Sequence, residues 1–301
     1  MNTLRTVVLL ATLTALLVLV GYALGGPQLG LVFLVIAGIG NFASYWFSDK
    51  IALRMAGAHE VSEAEEPGLH GLVSEVAQLA GVPKPKVFVV DTESPNAFAT
   101  GRDPSHAVVA VTTGIRRILN DRELKAVIAH EMGHVKNRDI LTSSIAATIA
   151  GAISYLAWMG MWFGGMFGGR DRDGGNPLLG LLVVILAPIA ATIIQLGISR
   201  SREYQADESG AHYVHDPEAL ASALAKLNDG VQARPMEQTA GTQATAALYI
   251  MHPFRGGGGL TNLFSTHPPI EARIARLRAM AQEMGQFPSA GDAWTERRYG
   301  I

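Results

Sequence analysis

The sequence predicts an α-rich α+β fold in which four long apolar helices, arranged as two hairpins, accompany a polar domain with a small β-sheet. The mean hydropathy of the chain is positive, at +0.22. Charged residues make up 17% of the 301 residues, below the roughly 25% of an average soluble domain. The apolar residues are concentrated in four stretches, while the polar parts carry helical and strand periodicities.

The first two apolar stretches lie within residues 6–47. Residues 6–24 and 29–47 are nearly free of charge, and each approaches the roughly 20 residues that a helix needs to cross a bilayer. Only residues 25–28 separate them, so we expect a helical hairpin. Because the first stretch is longer than the roughly 7–15 apolar residues of a signal-peptide core, a cleaved leader is the less favoured interpretation.

Residues 140–198 contain the second pair of apolar stretches, 140–167 and 178–198, separated by a Gly-rich polar turn that lipid would not accommodate. A buried soluble hairpin or a partial insertion is the alternative for this pair. If all four stretches span the membrane, most of the basic residues near their ends lie on one side of it and only Arg170 and Arg172 lie on the other. The larger group is Arg5, Lys50, Arg54, Lys136, Arg138, Arg200 and Arg202. The positive-inside rule then predicts a multi-pass protein with both termini in the cytoplasm.

The polar residues fall into two stretches, 49–139 and 199–301, and we expect one domain built from both because each alone is short for a large core. Periodicity predicts a helix at residues 67–80 and strands at 86–90 and 107–112. Residues 232–266 are rich in Gly, Thr, Ala and Pro and have little periodicity beyond residues 244–251, which predicts a mobile loop.

A possible metal site lies in a further predicted helix, residues 121–136. This helix contains His130-Glu131-Met132-Gly133-His134, and histidines at i and i+4 project from one face, close enough to share one tetrahedral Zn²⁺. Glu131 is then directed toward the open coordination position, where a general base acts. Asn120 and Glu123 can form the capping box that begins this helix.

A third protein ligand is needed, and the polar stretch 201–211 offers candidates. Glu203 and Asp207 would share one face of a helix at i and i+4. The residues alone do not decide between Glu203, Asp207 and Glu208 as the ligand. Cysteine is absent from the chain, which excludes thiolate ligands and cysteine nucleophiles.

Taken together, these motifs resemble those of the HtpX-type membrane metalloproteases, which are related to the CAAX prenyl-protein endopeptidases and to Oma1. The resemblance covers nearly the whole chain, and it includes Pro95-Asn96-Ala97-Phe98-Ala99-Thr100-Gly101 and Ser265-Thr266-His267-Pro268-Pro269. It implies a cytoplasmic gluzincin domain, a zincin that holds one Zn²⁺ per chain through His130, His134 and Glu203. It also implies that Glu131 activates a water molecule and that Asn96 and His267 stabilise the transition state.

Further residues are expected to support this site. Asp207 would hold the second ring nitrogen of a ligand histidine, and Arg273 would pair with a carboxylate there. His267 could instead cap the helix that follows it, and Asn96 could serve the turn after Pro95. An edge strand within residues 97–111 would bind the substrate as an added strand.

The resemblance implies an enzyme of the inner (plasma) membrane that hydrolyses misfolded or damaged membrane proteins at the cytoplasmic face, in stress response and protein quality control. Its expected partners are unfolded or membrane-protein substrates and the lipid bilayer. The formal net charge of −2 and the lack of a basic stripe give no reason to expect nucleic acid. Two alternatives stay open: a processing peptidase for lipidated peptides, and a catalytically silent zinc-bound membrane scaffold. The oligomeric state is not predicted.

Overall fold

Helices packed around a small mixed sheet make up the part of the chain that the computed structural model describes, residues 2–147, 200–254 and 268–286. The helices are α1 (Asn2–Ala56), α2 (Pro67–Ala80), α3 (Thr113–Ile118), α4 (Asp121–Lys136), α5 (Arg200–Val214), α6 (Pro217–Ala233), α7 (Ala240–Thr245) and α8 (Ile270–Glu283). The strands are β1 (Ala58–Glu60), β2 (Lys86–Val90), β3 (Ala97–Gly101) and β4 (Ala107–Thr112). The predicted α+β class is confirmed.

Helix α1 is two helices joined by a sharp bend. Gly25 and Gly26 have non-helical backbone angles, and Gly26 has φ 69°, a left-handed conformation that glycine adopts without a Cβ clash. The two arms fold back on each other, since Asn41 Nδ2 donates to Thr14 Oγ1 at 2.8 Å. The hairpin expected within residues 6–47 therefore forms.

Among the described residues, one helix, Gly25–Ala56, is long and apolar enough to cross a membrane. The second predicted hairpin, residues 140–198, begins with helical residues 140–147, but residues 148–199 lie outside the described part of the chain. The prediction of four membrane spans therefore stays a prediction.

The carboxyl end of α1 is built into the polar domain. Ala52, Leu53 and Ala56 are buried and pack against Phe98 and Val108 of the sheet. The apolar arm and the sheet are thus one continuous structure, because the last turns of the same helix cover part of the core.

Strand β3 forms one edge of the sheet, whose order is β1-β2-β4-β3. β3 and β1 are antiparallel to their neighbours, while β2 and β4 are parallel. Thr112 N donates to Asn96 O at 2.9 Å, and bonded pairs alternate along an antiparallel ladder. The main-chain groups of Ala97, Ala99 and Gly101 consequently face away from β4, toward an edge with which no other strand of the described residues pairs and which is called here the open edge.

The carboxyl end of β3 contacts two apolar segments of the chain. The guanidinium of Arg102 lies over the ring of Trp46 in α1, 5.1 Å from its centroid. The Oγ1 atom of Thr100 lies 2.6 Å from the Oγ atom of Ser144, within helical residues 140–147. The open edge therefore runs up to the apolar segments.

Helix α4 is the central helix of the domain and packs against α2, α5, α6 and β3. Its range is the predicted one, and it begins with the predicted capping box between Asn120 and Glu123. At its crossing with α5, a Cβ atom on Gly210 would lie 2.6 Å from His130 N. The two helix backbones can approach this closely only because that position has no side chain.

Residues 232–254 differ from the predicted mobile loop. They contain the end of α6, the short helix α7, and a buried run in which Tyr249 and Ile250 are 1% and 2% exposed. The buried run is held by a distant partner, strand β3, rather than by a regular element of its own, so local sequence patterns did not predict its order. Residues 255–267 lie outside the described residues.

Candidate metal centre

Helices α4 and α5 bring His130, His134 and Glu203 together, with their potential ligand atoms within 4.8 Å of one another. Glu203 Oε1 lies 3.4 Å from His134 Nε2, and Glu203 Oε2 lies 3.9 Å from His130 Nε2. Two ligand atoms about 2.1 Å from a tetrahedral zinc ion would lie roughly 3.4 Å apart. The spacing therefore suits a tetrahedral metal ion with an open fourth position.

The burial of the donor atoms also suits a metal. His130 and Glu203 are buried, and the Nε2 atom of His130 has no hydrogen-bond partner among the described residues. A buried polar atom of this kind is costly unless something binds it. Two imidazoles and a carboxylate form a donor set that zinc commonly accepts.

The outer nitrogen of His130 is held by a carboxylate. Its Nδ1 atom lies 2.9 Å from Asp207 Oδ1, and Asp207 in turn accepts from Arg273 Nε at 2.8 Å and Arg273 Nη2 at 2.6 Å. All three side chains are buried. This contact fixes the ring and directs Nε2 toward the proposed ion, and it places Asp207 and Arg273 where the sequence predicted them.

His134 has a similar partner that the sequence analysis missed. Its Nδ1 atom lies 3.4 Å from Asp139 Oδ2, and Arg202 Nη1 lies 3.6 Å from Asp139 Oδ1. Asp139 follows α4 and Arg202 lies in the first turn of α5, so the two residues flank the predicted second hairpin. Of the two, only Arg202 entered the sequence analysis, as one of the basic residues near the span ends, although Asp139 is five residues after His134.

The pKa of Glu131 is raised to about 7. Burial is the largest cause; the charge of His134 opposes it, and the charge of Glu203 adds to it. A hydrogen bond from the Ala99 backbone also places this carboxyl beside the open edge of β3. A carboxyl group with a pKa near neutral pH can accept and return a proton.

The two histidines have opposite pKa shifts in the metal-free site. Burial lowers the pKa of His130, and the hydrogen bond to Asp207 does not fully offset it. Burial also acts to lower the pKa of His134, but the hydrogen bond to Asp139 and the charge of Glu203 outweigh it and raise the pKa to about 9. Metal binding at neutral pH must therefore displace a proton from His134.

Comparison with known proteins places this site in a family. The profile of Peptidase family M48 matches residues 63–281, a range that includes every residue of the site described above. The chain belongs to peptidase family M48.

Relatives of this M48 peptidase match it over nearly their whole length. A protein named Protease HtpX homolog from Thermococcus kodakarensis is 54% identical over 287 residues, covering 94% of this chain and 98% of the relative. A Protease HtpX homolog from Polynucleobacter necessarius is 50% identical over 292 residues, covering 96% and 99%. The resemblance to HtpX-type proteases is thereby confirmed, and the chain is a metalloprotease, a hydrolase that acts on polypeptides.

A solved structure, that of Ste24p from S. mikatae, is also similar to this M48 peptidase. The sequences are 20% identical, the TM-score is 0.44, and the match covers 89% of this chain and 65% of Ste24p. The chain therefore spans about two thirds of that protein. A similarity at this level carries no argument about the site.

Of the two residues expected to stabilise the transition state, the structure of the M48 peptidase describes only Asn96. The side-chain amide of Asn96 is buried and makes two hydrogen bonds to the main chain of Met251. Its Nδ2 atom donates to Met251 O at 2.8 Å, and its Oδ1 atom accepts from Met251 N at 3.1 Å. His267 lies outside the described residues. The catalytic roles of Asn96 and His267 stay predictions.

Proposed function

We propose that this M48 peptidase is a zinc-dependent endopeptidase of the inner membrane that hydrolyses misfolded or damaged membrane proteins at the cytoplasmic face. The observation that carries the proposal is the convergence of His130, His134 and Glu203 next to a Glu131 carboxyl whose pKa is about 7. An imidazole–imidazole–carboxylate site with an adjacent base is the arrangement of a hydrolytic metal centre.

In this proposal each residue has a defined task. His130, His134 and Glu203 would hold one Zn²⁺, which when bound would supply Lewis-acid chemistry and make a water molecule more acidic. Glu131 takes the proton of the nucleophile and returns it to the leaving amine. Asp207 and Asp139 hold the outer nitrogens of the two histidines, which keeps both rings in the orientation that binding requires.

The substrate is proposed to bind along β3. The main-chain groups of Ala99 and Gly101 face the open edge, and Glu131 lies beside Ala99. An extended polypeptide can pair with such an edge irrespective of its sequence, which suits an enzyme for unfolded chains. Asn96 and, from the chain outside the described residues, His267 are proposed as further hydrogen-bond donors.

The membrane location is supported by the long apolar helix Gly25–Ala56 and by the contacts of β3 with apolar segments at Trp46 and Ser144. A site next to the bilayer would be reached first by chains that leave it. The charge asymmetry of the span ends supports four spans with the site on the cytoplasmic side. In this arrangement residues 49–139 and 199–301 together form the catalytic domain, and residues 6–47 and 140–198 form the two membrane hairpins.

The hydrolytic proposal is tested by parallel cleavage of an unstructured membrane-protein substrate with purified wild-type protein, Glu131→Gln, and chelated wild-type protein. Cleavage by the zinc-loaded wild type alone, with zinc retained in Glu131→Gln, is expected. Equal cleavage by wild type and Glu131→Gln would contradict the assigned base. Retention of cellular activity by Glu131→Gln would instead favour the scaffold alternative, and cleavage-site profiling would separate quality control from the processing of lipidated peptides.

The orientation is tested separately by labelling with a membrane-impermeant thiol reagent. Because the chain has no cysteine, single substitutions report on one position each. Ser105→Cys, in the exposed connection between β3 and β4, should be labelled from the cytoplasmic side, and Asp171→Cys from the opposite side. Labelling of both from the same side would contradict the four-span topology.

A further inference from the structure

A short run of the chain, residues 249–251, lies along the open edge of β3 and is called here the docked segment. Ile250 N donates to Ala97 O at 2.9 Å. One residue further, the Asn96 amide bonds to both the nitrogen and the oxygen of Met251, at 3.1 and 2.8 Å. Ile250 therefore pairs with Ala97 and Met251 with Asn96, so the docked segment runs antiparallel to β3.

The docked segment also reaches the groups behind the metal site. Arg273 Nη1 donates to Ile250 O at 3.2 Å, while the same guanidinium bonds to Asp207 and lies 3.8 Å from Glu203. Both main-chain groups of Ile250 are therefore bonded to residues that border the catalytic site. The N–H and the C=O of the next residue, Met251, are both bonded to the side chain of Asn96.

These are the bonds that an extended substrate would make. A peptide that adds to a sheet edge uses the outward main-chain groups of the edge strand, and the outward carbonyl of Ala97 is taken by Ile250. Glu131 lies beside Ala99, two residues further along β3. A substrate that follows the same antiparallel path would have its cleaved bond on the amino side of the residue that replaces Ile250.

The side chains of the docked segment fill apolar space. Ile250 is 2% exposed and belongs to the main core cluster with residues of α4. The ring of Tyr249 meets the ring of Phe98 edge-on, with centroids 5.0 Å apart. The place of Ile250 thus accepts a large aliphatic side chain and would reject a charged one, since an unpaired charge is costly to bury.

We propose that Ile250 and Met251 occupy, in the resting enzyme, the place of two substrate residues on the carboxyl side of the cleaved bond, and that a substrate with an aliphatic residue there displaces them. This inference rests on the proposed peptidase site. The docked segment is covalently attached and so competes at a high effective concentration. Only chains that present an extended, apolar run at high local concentration then gain access to the site, which protects folded proteins.

The first test uses zinc-loaded, full-length Glu131→Gln, so that binding is measured without cleavage. The probe is a fluorescent peptide with the sequence of residues 247–253, Ala-Leu-Tyr-Ile-Met-His-Pro, and its control has Asp in place of the Ile. Hydrogen exchange at the Ile250 and Met251 amides is followed in parallel. The Ile peptide is expected to bind and to deprotect both amides, and the Asp peptide to bind at least about tenfold more weakly.

The second test weakens the docked segment by substitution. Met251→Pro removes the N–H that donates to Asn96 and also restricts the backbone at this position, whereas Met251→Ala removes the side chain and keeps the N–H. Ile250→Ala removes the buried side chain. Met251→Pro and Ile250→Ala are expected to bind the Ile peptide about tenfold more tightly than the unsubstituted protein does, because the competent state is more populated. Thermal midpoint and zinc content verify that each variant is folded.

The outcomes separate this inference from the proposed function. Peptide binding that leaves the Ile250 and Met251 amides protected would overturn the displacement, even if Met251→Pro failed to fold. Folded variants that bind peptide no more tightly than the unsubstituted protein would also overturn it. Failure of the peptidase proposal has a different signature, which is wild-type cleavage that neither chelation nor Glu131→Gln abolishes.

Discussion

Asp139 Oδ2 lies 3.4 Å from His134 Nδ1, immediately before the chain enters helical residues 140–147. Its other oxygen lies 3.6 Å from Arg202 Nη1, in the first turn of α5. One carboxylate therefore joins a proposed metal ligand to both ends of the predicted membrane hairpin. The orientation of His134 is coupled to the place where the chain leaves and re-enters the polar domain.

Removing this carboxylate is expected to weaken metal binding. Asp139→Asn keeps the size of the side chain but loses the charge that holds His134 Nδ1, and loss of such a partner typically lowers metal affinity about 10–100-fold. Competition with a chelator measures the affinity. Glu208→Gln, an exposed carboxylate on α5, is the matched control, and equal zinc affinity in the two variants would show that Asp139 does not support the site.

The close crossing of α4 and α5 predicts a strong effect of a single methyl group. In Gly210→Ala the new Cβ would lie 2.6 Å from His130 N, so the helices must separate and Glu203 must move away from the histidines. We expect a loss of about 1–3 kcal/mol in the free energy of unfolding together with weaker zinc binding.

The control for this change is Gly71→Ala, in α2, where a Cβ would meet nothing within 4 Å. This variant is expected to gain about 0.5–1 kcal/mol, because alanine is the better helix former. Denaturant unfolding gives both values. Unchanged zinc affinity in Gly210→Ala would mean that the helix spacing does not set the geometry of the site.

Loss of the protons on Glu131 and His134 is expected to lower the stability of the metal-free protein as the pH rises, whereas His130, whose pKa is lowered from 6.5, opposes this below that pH. The folded-state pKa of Glu131 is about 7 against an ordinary value of 4.5. Between these pH values the folded state holds a proton that the unfolded state has lost, so the stability falls as the pH rises. His134, at about 9 against 6.5, contributes stability below pH 6.5 that is lost as the pH rises through 9. In both of these pH ranges, the contribution of the group to stability decreases as the pH rises.

Zinc reverses this dependence, because it binds the deprotonated ligands. The difference in thermal midpoint between zinc-loaded and chelated protein should therefore grow steadily from pH 5 to pH 9, as measured by differential scanning fluorimetry. A difference that is constant or that shrinks over this range would be inconsistent with the shifted pKa values of Glu131 and His134.

Arg273 is expected to require its planar, forked head group. Its Nε and Nη2 atoms contact both oxygens of the buried Asp207, and a lysine ammonium cannot make this paired contact. Arg273→Lys should lower the free energy of unfolding by about 1.5–3 kcal/mol and weaken zinc binding through His130. Arg276→Lys, exposed on the same helix, should leave zinc affinity unchanged; a similar loss in both variants would contradict a specific role.

Local patterns were sufficient to predict the elements that have their own signals. Helix α4 has a capping box and an apolar stripe, and β2 and β4 have compact β-branched runs, so their bounds agree with the predicted ones. The docked segment could not be predicted in this way, because Met251 is 155 residues from Asn96 and no short-range pattern encodes such a contact. Asp139 is only five residues from His134, but it lies beyond the end of α4, where the helical spacing no longer predicts which side chains meet.

The burial of Ala52, Leu53 and Ala56 beneath Phe98 and Val108 sets a limit on how this protein can be produced in parts. The helix Gly25–Ala56 has 32 residues, about 48 Å at 1.5 Å per residue, and its last turns are also one wall of the peptidase domain. A fragment trimmed to the family-matched residues 63–281 would expose Phe98 of β3 to water. Expression designs that aim for a soluble catalytic fragment should therefore keep the end of this helix and replace only its outward apolar side chains.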